Sequence, residues 1–275
     1  MLKRTITGAC YVAILSAFFL LREFVDFRIF HLLTYFFVVV GTIEVARAIR
    51  QLTIKGSLFI AIGLAVLFLP AYYLGQYVLM QERGYLFVIY LIAFALIITC
   101  FLAFFQDVEL QAFLWTALQY VYPALLLLFM LMINDFGENA LVALLLAFTI
   151  SPFSDTFAYF VGSMIGGKKL CPKLSPKKTW SGAIGGTIGG IFASLLVYWI
   201  FAPSVNVSSP FWFFFLIGLI ASIVNVFGDL FESFIKRKVG IKDMGKIVPG
   251  HGGVMDRIDG TSFVLVVIYI AFMLV

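Results

Sequence analysis

Nine apolar stretches recur along this chain, at about 6–21, 29–46, 57–80, 84–105, 112–133, 139–163, 180–202, 211–230 and 260–275. Most are close to the roughly 20 residues that a helix needs to cross the hydrocarbon core of a bilayer. In lipid, every backbone N–H and C=O must be satisfied without water, so such stretches form helices or they do not cross at all. The chain is 63% hydrophobic and 12% charged, where a soluble domain carries about 25% charged residues. The expected fold is therefore an all-α integral membrane protein, polytopic, with about nine transmembrane helices. The first stretch, in MLKRTITGACYVAILSAFFLLREF, has the charged start of a secretion signal. It lacks a small-x-small cleavage pattern and further spans follow it, so it reads as a retained first span.

The positions of the basic residues give an independent check on that count. With Lys3 and Arg4 in the cytoplasm and the spans alternating, sixteen of the 19 Lys and Arg fall at cytoplasmic ends. Only Arg22, Arg28 and Arg83 fall on the opposite face, the asymmetry that the positive-inside bias requires. A miscount by one span would send the two richest basic loops to opposite sides. The N-terminus is expected in the cytoplasm and the C-terminus outside, in a bacterial-type inner (plasma) membrane. No nucleic-acid partner is expected. Cys10, Cys100 and Cys171 show no paired spacing and read as free thiols.

The chain divides by texture. Residues 1–140 are spans with brief connectors and little chemistry, a scaffold in which a polar residue such as Glu44 sits at a span end or pairs inside the bundle. Residues 141–275 hold the polar sequences and two cytoplasmic basic loops, and read as the catalytic half. Within them GAIGGTIGG, 182–190, has small residues at four-residue spacing, which suits close helix packing in lipid.

Four polar groups in this half carry possible chemistry. In GDLFESFIKRK, 228–238, a continuing helix puts Asp229, Glu232, Ser233 and Lys236 on one face. Such a face can bind a hard cation and the phosphates around it, or serve as a solvated helix end with i,i+4 pairs. In KDMGKIVPGHGGVMDRIDG, 242–260, the glycines let backbone N–H groups approach a ligand. Asp256 and Asp259 there are three apart, so both can face one point in the first turn of a helix. Each also suits the helix dipole on its own. In KKLCPKLSPKKTWSG, 168–182, five lysines stand in a proline-stiffened loop. They fix topology or capture phosphate, with Ser175, Lys177, Lys178 and Thr179 near a helix start. Asp155 lies inside a predicted span, where Pro152 is expected to break the helix, and should face the same polar cavity. Together these groups suit a magnesium-bound polyphosphate meeting a lipid phosphate at headgroup depth. No Ser-His-Asp pattern or reactive thiol suggests a covalent intermediate.

The stretch SFIKRKVGIKDMGKIVPGHGGVMDRID, 233–259, resembles the signature of the phosphatidate cytidylyltransferases (CDP-diacylglycerol synthases). GDLFES, SDTFAYFVG and SPKKTWSG look like further pieces of that family in the same order, so the specific likeness covers about 151–260. Ser181 stands where a Glu or Gln is expected, and Val248 replaces a Leu or Ile. The resemblance implies that CTP and phosphatidate give CDP-diacylglycerol and pyrophosphate at the cytoplasmic membrane surface, with Mg²⁺; a monovalent cation such as K⁺ beside it stays open. It further implies Asp229 and Asp256 as metal ligands, with Asp259 as a third or supporting carboxylate. Lys177, Lys178, Lys236 and Arg237 would hold phosphates, with Lys242 and Lys246 as weaker candidates. His251, Gly252 and Gly253 would shape a phosphate-binding turn, and Ser175, Thr179, Ser233 and Asp155 complete the substrate-binding set. Arg257 would fork onto a phosphate or clamp an aspartate. A homodimer is a family expectation. Two rivals remain: a CTP-dependent polyprenol or dolichol kinase, and, more remotely, an ion-coupled transporter. A CDP-alcohol phosphotransferase, suggested by DRIDG, is rejected because no further aspartates follow it.

Overall fold

The computed structural model describes residues 2–79, 83–201, 210–248 and 252–274, with backbone alone for 2–6. Among these residues it has nine α-helices: α1 Leu2–Phe24, α2 Ile29–Ala48, α3 Ser57–Val78, α4 Gly84–Phe105, α5 Leu110–Asn134, α6 Ala140–Ile165, α7 Trp180–Phe201, α8 Pro210–Val239 and α9 Met255–Met273. Eight of them are long and apolar enough to cross a membrane. The ninth, α9, is 19 residues long but opens on Asp256, Arg257 and Asp259. The fold class expected from the apolar repeat is the one observed, and Phe104, Met164 and Trp199 lie on surfaces that only lipid would leave exposed.

Three local points become definite. Helix α8 continues past the span read at 211–230 and runs 30 residues to Val239. That is about 45 Å against a hydrocarbon core of about 30 Å, so about a third of its length exceeds the apolar thickness. Pro152 does not break α6. A proline inside a spanning helix forfeits only the backbone bond to the carbonyl four residues earlier, here that of Phe148, a loss that spanning helices tolerate. The basic stretch after α6 is an antiparallel hairpin of β1, Lys169–Cys171, and β2, Ser175–Thr179, with Lys169 opposite Thr179.

By contact density the chain forms two compact units, Met1–Leu131 with Lys238–Arg257, and Met132–Arg237 with Ile258–Val275. In the first, the buried face of α2 carries Phe30, Leu33, Phe37, Val38 and Val45. Polar groups in that core are answered locally: Thr99 donates to the Tyr120 hydroxyl at 3.1 Å, and the Ile54 N–H donates to Thr116 at 3.0 Å. In the second unit the glycine stripe of α7 brings backbones together on two sides. A Cβ at Gly186 would meet the Ser154 carbonyl of α6, and one at Gly189 would overlap Phe157. Gly190 faces Ser222 and Gly218 of α8 in the same way. The small-residue spacing thus serves packing. The three cysteines are free thiols.

Candidate active site

In the second unit, the unbroken α8 presents Asp229, Glu232, Ser233 and Lys236 along one face, as the spacing requires. Lys178 reaches from β2 to Asp229, with Nζ 2.6 Å from Oδ2. One turn further along α8, Lys236 pairs with Glu232 at 2.8 Å. Asp259, the fifth residue of α9, stands within hydrogen-bonding reach of Glu232 and within electrostatic reach of Asp229 and Asp155. Asn225 donates to Asp155 at 2.8 Å, bracing the carboxylate of α6 against α8. Four carboxylates from three helices therefore face two ammonium groups. Glu232 is wholly buried and Asp229 only 18% exposed, so water screens little of the excess negative charge. Gly260 is what permits this approach of α9 to α8, because a Cβ there would overlap the Asn225 side chain.

The hairpin is tied to the same unit. Arg237 Nε donates to the Leu174 carbonyl at 3.3 Å, and the Trp180 N–H donates to the Lys168 carbonyl at 3.0 Å. Thr179 uses its hydroxyl to accept the Gly182 N–H at 3.1 Å, an N-cap for α7. Ser181, the departure from the family pattern, donates to the Gly166 carbonyl. Ser175 is half-buried on β2, and Lys177 is exposed.

In the first unit the glycine-rich segment is held by carboxylates. Glu44 is 5% exposed on α2, and its Oε2 accepts the N–H of Met255, the first residue of α9. The first N–H groups of a helix have no partner within it, and a carboxylate there also faces the positive end of the dipole. Asp256 closes the other side: its Oδ2 accepts the N–H of Gly253 at 2.7 Å and of Met244 at 2.9 Å. The Val248 N–H donates to the Gly252 carbonyl at 2.9 Å, closing the turn. Gly252 has φ +92°, which side chains rarely adopt. Gly245 and Gly253 lie so close to the Glu44 carboxylate that a Cβ on either would collide with it. Lys242, Lys246 and Arg257 are exposed. His251 lies outside the described residues.

The sequence spacing suggested that Asp256 and Asp259 face one point. Helix α9 does begin at Met255, but their contacts differ. Asp256 engages the loop 244–253, while Asp259 engages Glu232, Asp229 and Asp155. Glu44 and Asn225 were not among the candidate site residues. For Glu44 the signal was present, as the sole acidic residue in the 20-residue apolar helix IFHLLTYFFVVVGTIEVARA. Among the described residues no three His, Cys, Asp or Glu side chains form a ready-made metal cage. The available donors are carboxylate pairs.

A family model described as the cytidylyltransferase family matches residues 2–275. The chain is also similar to curated proteins named phosphatidate cytidylyltransferase. It is 42% identical over 137 residues to one from Brucella abortus, covering 50% of this chain and 48% of that protein. It is 43% identical over 156 residues to one from Thermotoga maritima, covering 55% and 56%. With one from Staphylococcus aureus the identity is 45% over 122 residues, covering 44% and 45%. The chain thus matches about half the length of these curated relatives.

Proposed function

Because this chain belongs to the cytidylyltransferase family, we propose that it transfers CMP from CTP to phosphatidate, giving CDP-diacylglycerol and pyrophosphate. The observation that carries the reading is the Lys178–Asp229 pair beside Asp259, which sets a phosphate-binding ammonium against carboxylates at the polar end of a spanning helix. An oxygen of the lipid phosphate attacks the α-phosphorus of CTP. The bond from that phosphorus to the β-phosphate oxygen breaks, and pyrophosphate leaves with the electron pair. The attacking group is already an anion, so the protein supplies alignment and charge neutralisation rather than a nucleophile. Lys177, Lys178, Lys236 and Arg237 hold phosphates, with Ser175, Thr179 and Ser233 beside them, and Lys242, Lys246 and Arg257 attract the anionic substrates. His251, Gly252 and Gly253 complete the phosphate-binding set in this proposal.

Mg²⁺ is usually held by one or two carboxylates plus phosphate oxygens and water. The Asp229–Asp259 pair, in a cluster short of positive charge, fits that donor set, whereas Asp256, expected as a ligand, accepts the Gly253 and Met244 N–H groups. Held by Asp229 and Asp259, Mg²⁺ would supply charge neutralisation for the phosphates, and a monovalent cation such as K⁺ would answer the remaining carboxylates. The reading places chemistry in residues 141–275 and scaffold in 1–140. It puts the site on the cytoplasmic face of a plasma membrane, in a homodimer.

The test uses purified protein in mixed micelles with phosphatidate, Mg²⁺ and CTP labelled at the α-phosphate, beside Asp229→Asn. The expected result is label in lipid and released pyrophosphate, both lost in the variant. Label retained in soluble CDP, with phosphate on a lipid alcohol, would establish the kinase instead. No lipid-dependent use of CTP would overturn the reading and leave the transporter.

A further inference from the structure

The first unit contains a cavity of about 420 Å³ that the proposed reaction leaves without a role. Its walls are Ile14 and Phe18 of α1, Leu33 and Phe37 of α2, and Val254 of the glycine-rich segment. Thr7 and Tyr11, one turn apart on α1, and Arg257 also line it. Tyr11 lies within electrostatic reach of Arg257, and among the described residues no carboxylate pairs with that guanidinium.

We propose that this slot seats one acyl chain of the lipid phosphate substrate, with the phosphate held at Arg257. The inference deepens the function proposed above and rests on it. Three observations point to this occupant. The first is length: from Thr7 to Phe18 the wall of α1 runs about 16 Å at 1.5 Å per residue. That is half of a hydrocarbon core of about 30 Å, the depth that one chain of one leaflet occupies. The second is access. Only 6% of the apolar window of α1 is buried, so this helix stands largely in lipid and the slot beside it opens sideways to chains already in the bilayer. The third is charge: an ordinary boundary lipid would need no cation beside the slot, whereas a phosphate monoester is matched by the guanidinium fork of the exposed Arg257 that lines it. Ile247, 57% exposed beside Lys246, also lines the slot, which gives that apolar side chain a partner. The chain seat and the headgroup contact then share one segment, the one that Glu44 and Asp256 hold in place.

A phosphatidate carrying a photoactivatable diazirine midway along one chain tests this, with the full chain in phosphatidylcholine nanodiscs and mass-spectrometric mapping. Labelling is expected on Ile14, Phe18 or Phe37. Excess unlabelled phosphatidate should suppress it at least tenfold, and added phosphatidylcholine should leave it unchanged. Arg257→Gln should lower it about tenfold. Ile14→Trp, which fills the slot without altering a charge, should abolish labelling of Phe37, so the test survives misfolding of the first variant. Labelling confined to other helices, or competed equally by both lipids, would overturn the proposal. CMP transfer is measured on the same preparation. Transfer without competed labelling removes this inference alone, whereas competed labelling without transfer removes the reaction and leaves a lipid-phosphate seat.

Discussion

Glu44 offers the sharpest test of how the glycine-rich segment is held. Its buried carboxylate accepts the Met255 N–H at 3.0 Å, and Glu44→Ala leaves that N–H without an acceptor in a site with no room for bulk water. A hydrogen bond to a charged group contributes about 1.5–3 kcal/mol, and an orphaned buried donor costs about 1–3. The helix-dipole interaction adds about 0.3–1. Against these, the variant no longer buries a carboxylate, so a net loss of about 3 kcal/mol is expected for local opening of the segment. At 1.4 kcal/mol per decade, that is on the order of 100-fold faster amide exchange. The assay is hydrogen exchange by mass spectrometry in detergent, reading peptides that cover 243–258 with α6 and α7 peptides as internal controls. Glu44→Gln keeps an acceptor but not the charge, so about 1 kcal/mol, or roughly fivefold, is expected. Gly253→Ala, whose Cβ would collide with Glu44, should also loosen the segment, and much less so in the Glu44→Ala background. Unchanged exchange in Glu44→Ala, or the same acceleration in α6 and α7, would refute the bracing role.

Two other perturbations probe the second unit. Lys178 and Asp229 are 26% and 18% exposed, between the surface case worth about 0–1 kcal/mol and the buried case of about 3–5. Lys178→Met should therefore cost about 1–2 kcal/mol in thermal unfolding. Adding Asp229→Asn should restore part of that stability but none of the activity, which the proposed function expects to fall about 10²- to 10³-fold. Gly189→Leu would drive a side chain into Phe157. Overpacking of this kind costs about 1–3 kcal/mol and should lower the melting temperature by several degrees, while Ile188→Leu on the exposed face of the same helix should leave it unchanged.

What the sequence disclosed follows from which forces are local. Spans were legible because hydrophobic length is a property of a single segment, and the α7 glycine stripe was legible because its period is helical. The face formed by Asp229, Glu232 and Lys236 needed only the continuity of α8. Pairings across the chain were not legible. Nothing near Glu44 signals that its acceptor role concerns Met255, 211 positions later, and Lys178 meets Asp229 across 51 positions. The hairpin escaped notice because SPKKT carries no apolar alternation; its strands are fixed by backbone pairing and by the anchoring of Leu174 and Lys168. Asp256 and Asp259 illustrate the remaining gap. Their spacing was read as convergence, but places three residues apart at the start of one helix do not decide which neighbours each carboxylate acquires.

Those neighbours determine what a substrate must displace. Four of these carboxylates already have partners: Glu44 in Met255, Asp256 in Gly253 and Met244, Asp229 in Lys178, and Glu232 in Lys236. An unanswered charge at this depth would cost several kcal/mol, so the folded chain holds Lys178 and Lys236 in ion pairs. Under the proposed function, Lys178 and Lys236 leave carboxylates for phosphates, and the carboxylates so released are the ones offered to a divalent cation. Phosphate and metal binding are then linked, because each removes the partner that the other needs removed. Asp229→Asn should accordingly weaken Mg²⁺ dependence while leaving Lys178 free for phosphate. Lys178→Met should raise the apparent affinity for CTP-free Mg²⁺ and lower that for CTP. Metal titrations with and without CTP read both affinities, and two variants that shifted both in the same direction would show that no such exchange of partners occurs.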